Sequence, residues 1–236
     1  MKVDRFVSVI APLYNVEKII ALYIKDTVDV LNKHFTNFEL VLVDDGSQDN
    51  TVDVVTSLLK QYEGIRLIRL SREFGEEIAI TAGLDTVIGD FTIVMLPHMD
   101  PANKIPELVK QCIDGTDVVF GVRRTTKDKG WLTLKATALF FWYCNKILKL
   151  NLTENATQFR CMSRQAVNAI IQIKDSSQYL RLTSSFVGYT RKAFIYDPVY
   201  LGKSSRETGF IASFKQAQTI IMENSVHPLR FVSWLG

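Results

Sequence analysis

The chain has 236 residues, of which 47% are hydrophobic and 22% charged, and this composition excludes a disordered or fibrous protein. Its formal net charge of +3 is too small to indicate a nucleic-acid-binding protein. Three widely spaced cysteines without a CxxC pair indicate neither a zinc site nor a disulfide framework. We expect no signal peptide, no bilayer-spanning helix and a cytoplasmic location, because a strand follows the first residues and no apolar run reaches about 20 residues.

Apolar runs alternate with amphipathic segments through the first half of the chain. Predicted strands lie at residues 6–12, 40–43, 65–70, 91–95 and 117–122. Predicted helices lie at residues 16–31, 52–62, 78–86 and 105–111. This alternation predicts an α/β fold with a doubly wound, mostly parallel sheet. Right-handed crossovers would then place the strand-to-helix loops on one edge of that sheet.

The pattern changes after residue 123, where a basic loop at 123–130 leads into an apolar helix predicted at 131–150. A helix that is apolar around much of its girth is either buried or lies on a membrane. The later predictions are strands at 159–162 and 193–196 and helices at 164–173, 178–187 and 211–223.

Two adjacent carboxylates, Asp44 and Asp45, follow the apolar strand at 40–43 and precede Gly46. An amphipathic helix comes next, with Asp49 or Asn50 as its predicted N-cap. Acidic residues at the carboxyl end of a strand lie where ligands usually bind in an open α/β sheet. An ordinary polar turn is the alternative interpretation.

An ordered set of short motifs runs through almost the whole chain. It comprises VIAPLYN at 9–15, VDDGSQDNT at 43–51, SREFG at 71–75, AGL at 82–84, DVVFGVR at 117–123, FRCMSR at 159–164, GKSS at 202–205 and PLR at 228–230. The set resembles the inverting family 2 glycosyltransferases, and within them the branch that transfers a sugar from a nucleotide to a polyprenyl phosphate. The resemblance implies a sheet of the nucleotide-diphospho-sugar transferase (GT-A) type with C-terminal amphipathic helices.

The resemblance also implies a function. The enzyme would move a hexose from a nucleotide sugar, UDP-linked in preference to GDP-linked, to a polyprenyl phosphate or a related anionic acceptor, with inversion. It would work peripherally at the cytoplasmic face of a membrane, with a homo-oligomer or a membrane partner subunit as a further expectation and without nucleic acid. Residues 1–124 would form the nucleotide-sugar half and residues 125–236 the acceptor half with interfacial helices, in one continuous domain.

The same resemblance assigns residues to the site. Those implied for the nucleotide are Pro12 and Tyr14 beside the nucleoside, Asp44 on the base, Asp45 facing the nucleotide, and Arg72. Those implied for catalysis are Asp100, Gln158 and Arg160. Those implied for the acceptor phosphate are Arg123, Arg124, Lys203, Ser204 and Arg206. For the basic residues, a solvated surface is the alternative.

The chain departs from the resemblance where the family holds a divalent metal with an Asp-x-Asp motif. Leu96 and His98 stand at those two positions, so His98 and Asp100 would form a weakened Mn²⁺ or Mg²⁺ site or none. Gln158 stands where an acid is typical, and Glu76 where lysine is common. A second function therefore stays open, that of a weakened or inactive protein that binds sugar nucleotides or lipid phosphates on the same scaffold.

Overall fold

The structure, a computed structural model, describes residues 2–124, 131–147, 153–172 and 188–201. The strands in these ranges are β1 (Val3–Leu13), β2 (Phe35–Asp44), β3 (Ile65–Arg69), β4 (Phe91–Val94), β5 (Val118–Arg123), β6 (Ala156–Ser163) and β7 (Arg191–Tyr196). The helices are α1 (Ile20–His34), α2 (Thr51–Leu58), α3 (Glu76–Leu84), α4 (Ile105–Ile113), α5 (Trp131–Trp142) and α6 (Arg164–Gln172). A 3₁₀ helix (Ala102–Lys104) precedes α4, and a π-helical turn (Tyr143–Ile147) follows α5.

The seven strands form one sheet in the order β3-β2-β1-β4-β6-β5-β7. Every one of these strands is parallel to the others except β6, which runs antiparallel to both of its neighbours, β4 and β5. The carboxyl ends of the parallel strands and the amino end of β6 therefore share one edge, which we call the carboxyl edge. The prediction of an α/β fold with a mostly parallel sheet is confirmed.

Both faces of the sheet are buried, which explains the uninterrupted apolar runs of its central strands. Alternate residues of β1 join different cores because side chains of a strand point to opposite faces. Val9 and Ala11 pack in the same core as Ile24 of α1. Ile10 packs in the other core, with Ile80 of α3.

The first two strands begin earlier than predicted. β1 starts at Val3 and β2 at Phe35, and these two residues pair with each other. The beginning of β2 carries exposed Thr36 and Asn37, so the sequence lacks the apolar run that marks the rest of the strand. The predicted helices at 178–187 and 211–223, and the end of the helix predicted at 131–150, lie outside the described residues.

The chain divides into two compact units. One unit comprises Met1–Arg124 and Asn155–Ser205 and contains the whole sheet, and the other comprises Thr125–Glu154 and Arg206–Gly236 and contains α5. Within the second unit, Leu139 and Trp142 of α5 are 66% and 55% exposed. Among the residues that the structure describes, no helix has the length and apolar character needed to cross a membrane.

Candidate functional site

The two carboxylates that end β2 are buried and hydrogen-bonded. The Asp44 carboxylate accepts the backbone N–H of Ser47, at 3.4 Å for Oδ1 and 3.3 Å for Oδ2. Asp45 is fully buried, and its Oδ1 accepts the N–H of Phe74 at 2.8 Å while its Oδ2 accepts the N–H of Gly75 at 2.9 Å. Asp45 therefore fixes the segment between β3 and α3 to the end of β2.

Gly46 allows this close approach between the two loops. Its φ is +71°, and a Cβ at this position would lie 2.6 Å from the carbonyl carbon of Arg72 and 2.7 Å from the backbone nitrogen of Glu73. Only glycine fits such a conformation and such a contact without a shift of the backbone. The guanidinium of Arg72 lies 4.9 Å from the centroid of the Phe74 ring, so the predicted nucleotide-binding arginine stays at the carboxyl edge.

The loops after β1 and β2 hold each other by hydrogen bonds in both directions. The N–H of Asn15 donates to Oγ of Ser47 at 3.0 Å, and Oδ1 of Asn15 accepts the N–H of Gln48 at 2.8 Å. The N–H of Glu17 donates to Oδ2 of Asp49 at 3.1 Å. We call this set of bonds the loop clasp. It joins the two loops into one wall of the carboxyl edge.

Asp49 provides the side-chain cap of α2. Its Oδ1 accepts both the N–H of Thr51, at 3.0 Å, and the Thr51 hydroxyl, whereas the Asn50 side chain donates to Glu17 instead. The Thr51 Oγ1 accepts the N–H of Val16 at 2.8 Å, which adds a further bond to the loop clasp. Partial burial raises the pKa of Asp49, but the hydrogen bonds from Thr51 and Glu17 together hold it below its ordinary value.

The predicted nucleoside residues lie beside this wall. Pro12 is buried within β1 and pairs with Val43, and the next residue pair joins Leu13 to Asp44. Tyr14 follows directly and is half-buried. The structure therefore brings Pro12, Tyr14 and Asp44 to neighbouring strand ends, and their contact with a nucleoside stays a prediction.

Asp100 closes the loop that follows β4. It is 4% exposed. Its Oδ2 accepts the N–H of Leu96 at 2.7 Å, and its Oδ1 accepts the hydroxyl of Tyr196, at the end of β7, at 2.6 Å. The Tyr196 hydroxyl also lies 3.1 Å from Oγ1 of Thr157 in β6. One carboxyl thus joins the ends of β4, β6 and β7, and we call this arrangement the Asp100 latch.

Burial sets the protonation of the latch. It raises the pKa of Asp100 to about 7, against the hydrogen bonds from Tyr196 and Leu96, which lower it. The nearby Glu76 adds to the rise and the nearby Arg123 opposes it. Burial and the Asp100 charge also raise the pKa of Tyr196 far above its ordinary value. Glu76 and Arg123 therefore both lie within electrostatic reach of Asp100.

Gln158 and Arg160 lie at the amino end of β6, on the same edge. Both are buried, at 1% exposure each. The Gln158 Nε2 donates to Oε1 of Glu77, and its Oε1 accepts from Arg160 at 3.2 Å. Arg160 also donates to the backbone oxygen of Thr157 at 2.9 Å. An amide can orient its neighbours in this way, but it cannot act as a general base.

The residues at the end of β4 do not fit a divalent ion. Mg²⁺ and Mn²⁺ take carboxylate, carbonyl and water oxygens, whereas Leu96 offers an apolar side chain that is 6% exposed. Both oxygens of Asp100 already accept hydrogen bonds from the protein. His98 is half-buried on the same loop. In the described part of the chain, no group of three or more His, Cys, Asp or Glu residues could hold a metal ion.

The predicted acceptor residues are only partly described. Arg123 ends β5 at the carboxyl edge and is half-buried. Arg124 is more exposed, and its Nη1 lies 3.5 Å from Oδ2 of Asp197, a surface ion pair that contributes little stability. The other predicted residues, Lys203, Ser204 and Arg206, lie outside the described residues.

Two residues of this edge were not among the predictions. Tyr196 completes the Asp100 latch, and Glu77 bonds to Gln158. The sequence signal for Tyr196 is its place at the end of a predicted strand, since site residues concentrate at strand ends of an α/β sheet. For Glu77 the signal is its position two residues after the SREFG motif, in the first turn of α3.

Comparison with known proteins shows which family this chain resembles. The chain is 28% identical over 232 residues to an uncharacterized glycosyltransferase of Synechocystis, a match that covers 97% of this chain and 72% of that protein. It is 28% identical to a prophage bactoprenol glucosyl transferase homolog of Escherichia coli, over 98% of this chain and 76% of that protein. It is 30% identical to the bactoprenol glucosyl transferase of Shigella phage SfX, over 77% of this chain and 60% of that protein.

The fold matches a solved transferase. Glucosyl-3-phosphoglycerate synthase from Mycobacterium tuberculosis superposes with a TM-score of 0.61 at 16% identity, over 91% of this chain and 76% of that one. This likeness supports the predicted GT-A type of sheet. The family model described as "Glycosyl transferase family 2" matches residues 8–171, which include the loop clasp, the Asp45 contacts and the amino end of β6. The chain therefore belongs to glycosyl transferase family 2 and is a glycosyltransferase.

Proposed function

We propose that this glycosyltransferase moves a hexose from a nucleotide sugar, UDP-linked in preference to GDP-linked, to a polyprenyl phosphate or a related anionic acceptor, with inversion. The names of the Escherichia coli and Shigella phage relatives support a polyprenyl-linked acceptor. The related synthase was solved with UDP-glucose, which supports a UDP-linked donor. In this proposal residues 1–124 bind the donor and residues 125–236 bind the acceptor.

The observation that carries the acceptor class is the amide at Gln158. A hydroxyl acceptor must pass its proton to a base as it attacks, whereas a phosphate acceptor is already an anion at neutral pH. Gln158 cannot take a proton in this way. The neighbouring carboxyl of Asp100 is buried, with both oxygens engaged. An acceptor that is ionised in advance therefore fits this edge better than a sugar hydroxyl.

The proposed reaction is a single displacement. An oxygen of the acceptor phosphate forms a bond to the anomeric carbon on the face opposite the nucleotide. The bond from that carbon to the diphosphate breaks, and its electron pair leaves with the nucleoside diphosphate. Asp44 and the loop clasp would hold the nucleoside.

A divalent ion is not part of the proposed mechanism. The related synthase was solved with Mn²⁺ and with Mg²⁺, and such an ion would supply Lewis-acid stabilisation of the leaving diphosphate. The residues at Leu96, His98 and Asp100 do not fit such an ion in this chain, because Leu96 is apolar and both oxygens of Asp100 accept hydrogen bonds from the protein. No step is therefore assigned to it.

We propose that the reaction takes place at the cytoplasmic surface of a membrane. Exposed Leu139 and Trp142 of α5 suit an interfacial helix. The second helix predicted for this role, at 211–223, lies outside the described residues. A homo-oligomer or a membrane partner subunit is part of the same proposal.

A second candidate is a protein that binds sugar nucleotides or lipid phosphates without turnover. The departures at Leu96, Gln158 and Glu76 favour it, because each removes a group that usually supports catalysis in the family. Binding and transfer measured on the same protein separate the two candidates.

The test is a transfer assay with the full chain, vesicles that contain polyprenyl phosphate, and radiolabelled UDP-glucose or GDP-mannose. We expect label in the lipid fraction, and a loss of at least about tenfold in Asp44→Asn, since this change removes a charged partner at the donor. Asp29→Asn, on the exposed side of α1, is the matched control. Nucleotide binding without labelled lipid would support the second candidate instead.

A further inference from the structure

The carboxylates of the carboxyl edge are already bound to donors of the protein itself. Both oxygens of Asp45 accept backbone N–H groups of the segment before α3. Both oxygens of Asp100 accept donors in the Asp100 latch. A metal ion at either carboxylate would compete with these buried donors for the same oxygens, and a buried donor that lost its acceptor would be costly. The carboxylates of Asp45 and Asp100 therefore bind donors of the fold and do not face a ligand.

The loop after β4 is also fixed from its other side. The backbone oxygen of Met99 accepts the N–H of Val199 at 3.0 Å, and that of His98 accepts the N–H of Leu201 at 3.1 Å. A shift of the loop that turned a carboxylate toward a ligand would break these bonds as well as the latch. The apolar side chain of Leu96 closes the same loop at its start.

A cation lies close to this loop. Arg123, at the end of β5, is half-buried and pairs with Tyr196 of β7, whose hydroxyl donates to Asp100. The planar guanidinium matches the oxygens of a phosphate and keeps its charge at any working pH. A positive group held in place before the reaction stabilises charge that develops on a leaving group.

We infer that this chain binds the diphosphate of its donor without a divalent ion, and that Arg123 supplies the positive charge that faces the leaving diphosphate. The inference rests on the proposed function, because it takes a nucleoside diphosphate as the ligand. It adds to that function the group that offsets the charge of the diphosphate, and it assigns Arg123 to the donor instead of the acceptor phosphate.

The test is calorimetric titration of the full chain with UDP and with GDP, in a buffer with EDTA and in a buffer with Mn²⁺. For the nucleotide that binds, we expect dissociation constants that agree within about twofold between the two buffers. Affinity that rises about tenfold or more in Mn²⁺ would overturn the inference and leave the proposed function intact. Failure of both nucleotides to bind in both buffers would overturn the proposed function, and the inference with it.

Variants test the role of the cation in the EDTA buffer. We expect Arg123→Ala to weaken nucleotide binding about tenfold. We expect Arg123→Lys to keep most of the nucleotide affinity that Arg123→Ala loses. Lys192→Ala removes an exposed cation of β7 far from the carboxyl edge and is the matched control. Unchanged affinity in Arg123→Ala would overturn the assigned role of Arg123. An Mn²⁺ effect that His98→Ala abolishes would overturn metal-independent binding.

Discussion

Asp100 shows how one side chain connects distant parts of the chain. Its partners are Leu96, in the same loop, and Tyr196, which lies 96 residues further along the chain. Because the carboxyl is buried, the protonated form is favoured in the folded protein and the pKa rises from 3.8 to about 7. The stability of the fold therefore depends on pH through this residue.

We expect the free energy of unfolding to decrease as the pH rises, because of Asp100. The stability that the raised pKa provides is fully present below the unfolded value of 3.8 and is lost as the pH rises through about 7. Asp100→Asn does not titrate, so the difference between the two proteins should change by roughly 2–4 kcal/mol between about pH 4 and about pH 8. Urea unfolding at both pH values measures this change.

Asp29→Asn, which alters an exposed carboxylate of α1, is the control for the pH experiment. Its free energy of unfolding should follow the unmodified protein at both pH values. A constant difference between Asp100→Asn and the unmodified protein would contradict the assigned protonation.

Gly46 is a second residue whose replacement tests the carboxyl edge. We expect Gly46→Ala to destabilise the fold by about 2–4 kcal/mol, because a Cβ adds left-handed backbone strain and a clash with the loop after β3. Gly188→Ala is the matched control, since Gly188 has nearly the same φ, +69°, but open space where its Cβ would be. Thermal or urea unfolding of both variants measures the difference, and equal losses would contradict the clash.

At the scale of elements, the loop clasp joins the connection after β1 to the start of α2. We expect Asp49→Ala to cost about 1–2 kcal/mol, because it removes the cap of α2 and the bond from Glu17. The pKa of Asp49 is lowered, so its contribution is present at neutral pH and is lost as the pH falls through the folded value. The loss in the variant should therefore shrink at about pH 3, as urea unfolding can measure.

Asp53→Ala alters an exposed acid in the first turn of α2 and serves as the control for the cap. A loss in Asp53→Ala as large as that in Asp49→Ala would show that helix charge, and not the clasp, carries the effect.

Local pattern was enough to predict most elements of the first half. The buried parts of strands such as β1 and β4 are mostly apolar, and their helices have one apolar face, so hydrophobic periodicity identifies both. The direction of β6 was not predicted, because the hydrophobic pattern of a buried strand is the same whether its neighbours run parallel or antiparallel to it. The early starts of β1 and β2 depend on the pairing of Val3 with Phe35, which no local pattern records.

The site was predictable to a similar extent. Asp44 and Asp45 stand out because two adjacent acids end an apolar strand. What the sequence could not give is how their oxygens are used, since the partners of Asp45 lie in another loop. The Asp100 latch depends on Tyr196, and this contact exists only once β7 has joined the sheet.

For the whole molecule, the proposed membrane surface can be tested by flotation. We expect the full chain to bind anionic vesicles at low salt, and Leu139→Ser with Trp142→Ser to lower the bound fraction at least about fivefold, since apolar contact drives interfacial binding. Ile88→Ser removes an apolar side chain that is 70% exposed in the unit that contains the sheet, and it should bind as the unmodified chain does. Equal binding of all variants would contradict a role for α5.

The place of β6 in the sheet has a consequence for synthesis on the ribosome. β5 is made before β6, yet within the sheet it pairs only with β6 and β7. The nascent chain can assemble β3, β2, β1 and β4, but β4 then keeps an unpaired edge until residues 156–163 emerge. An open edge of this kind invites pairing with other chains. A ribosome that stalls between residues 123 and 156 would therefore hold a half-sheet prone to aggregation.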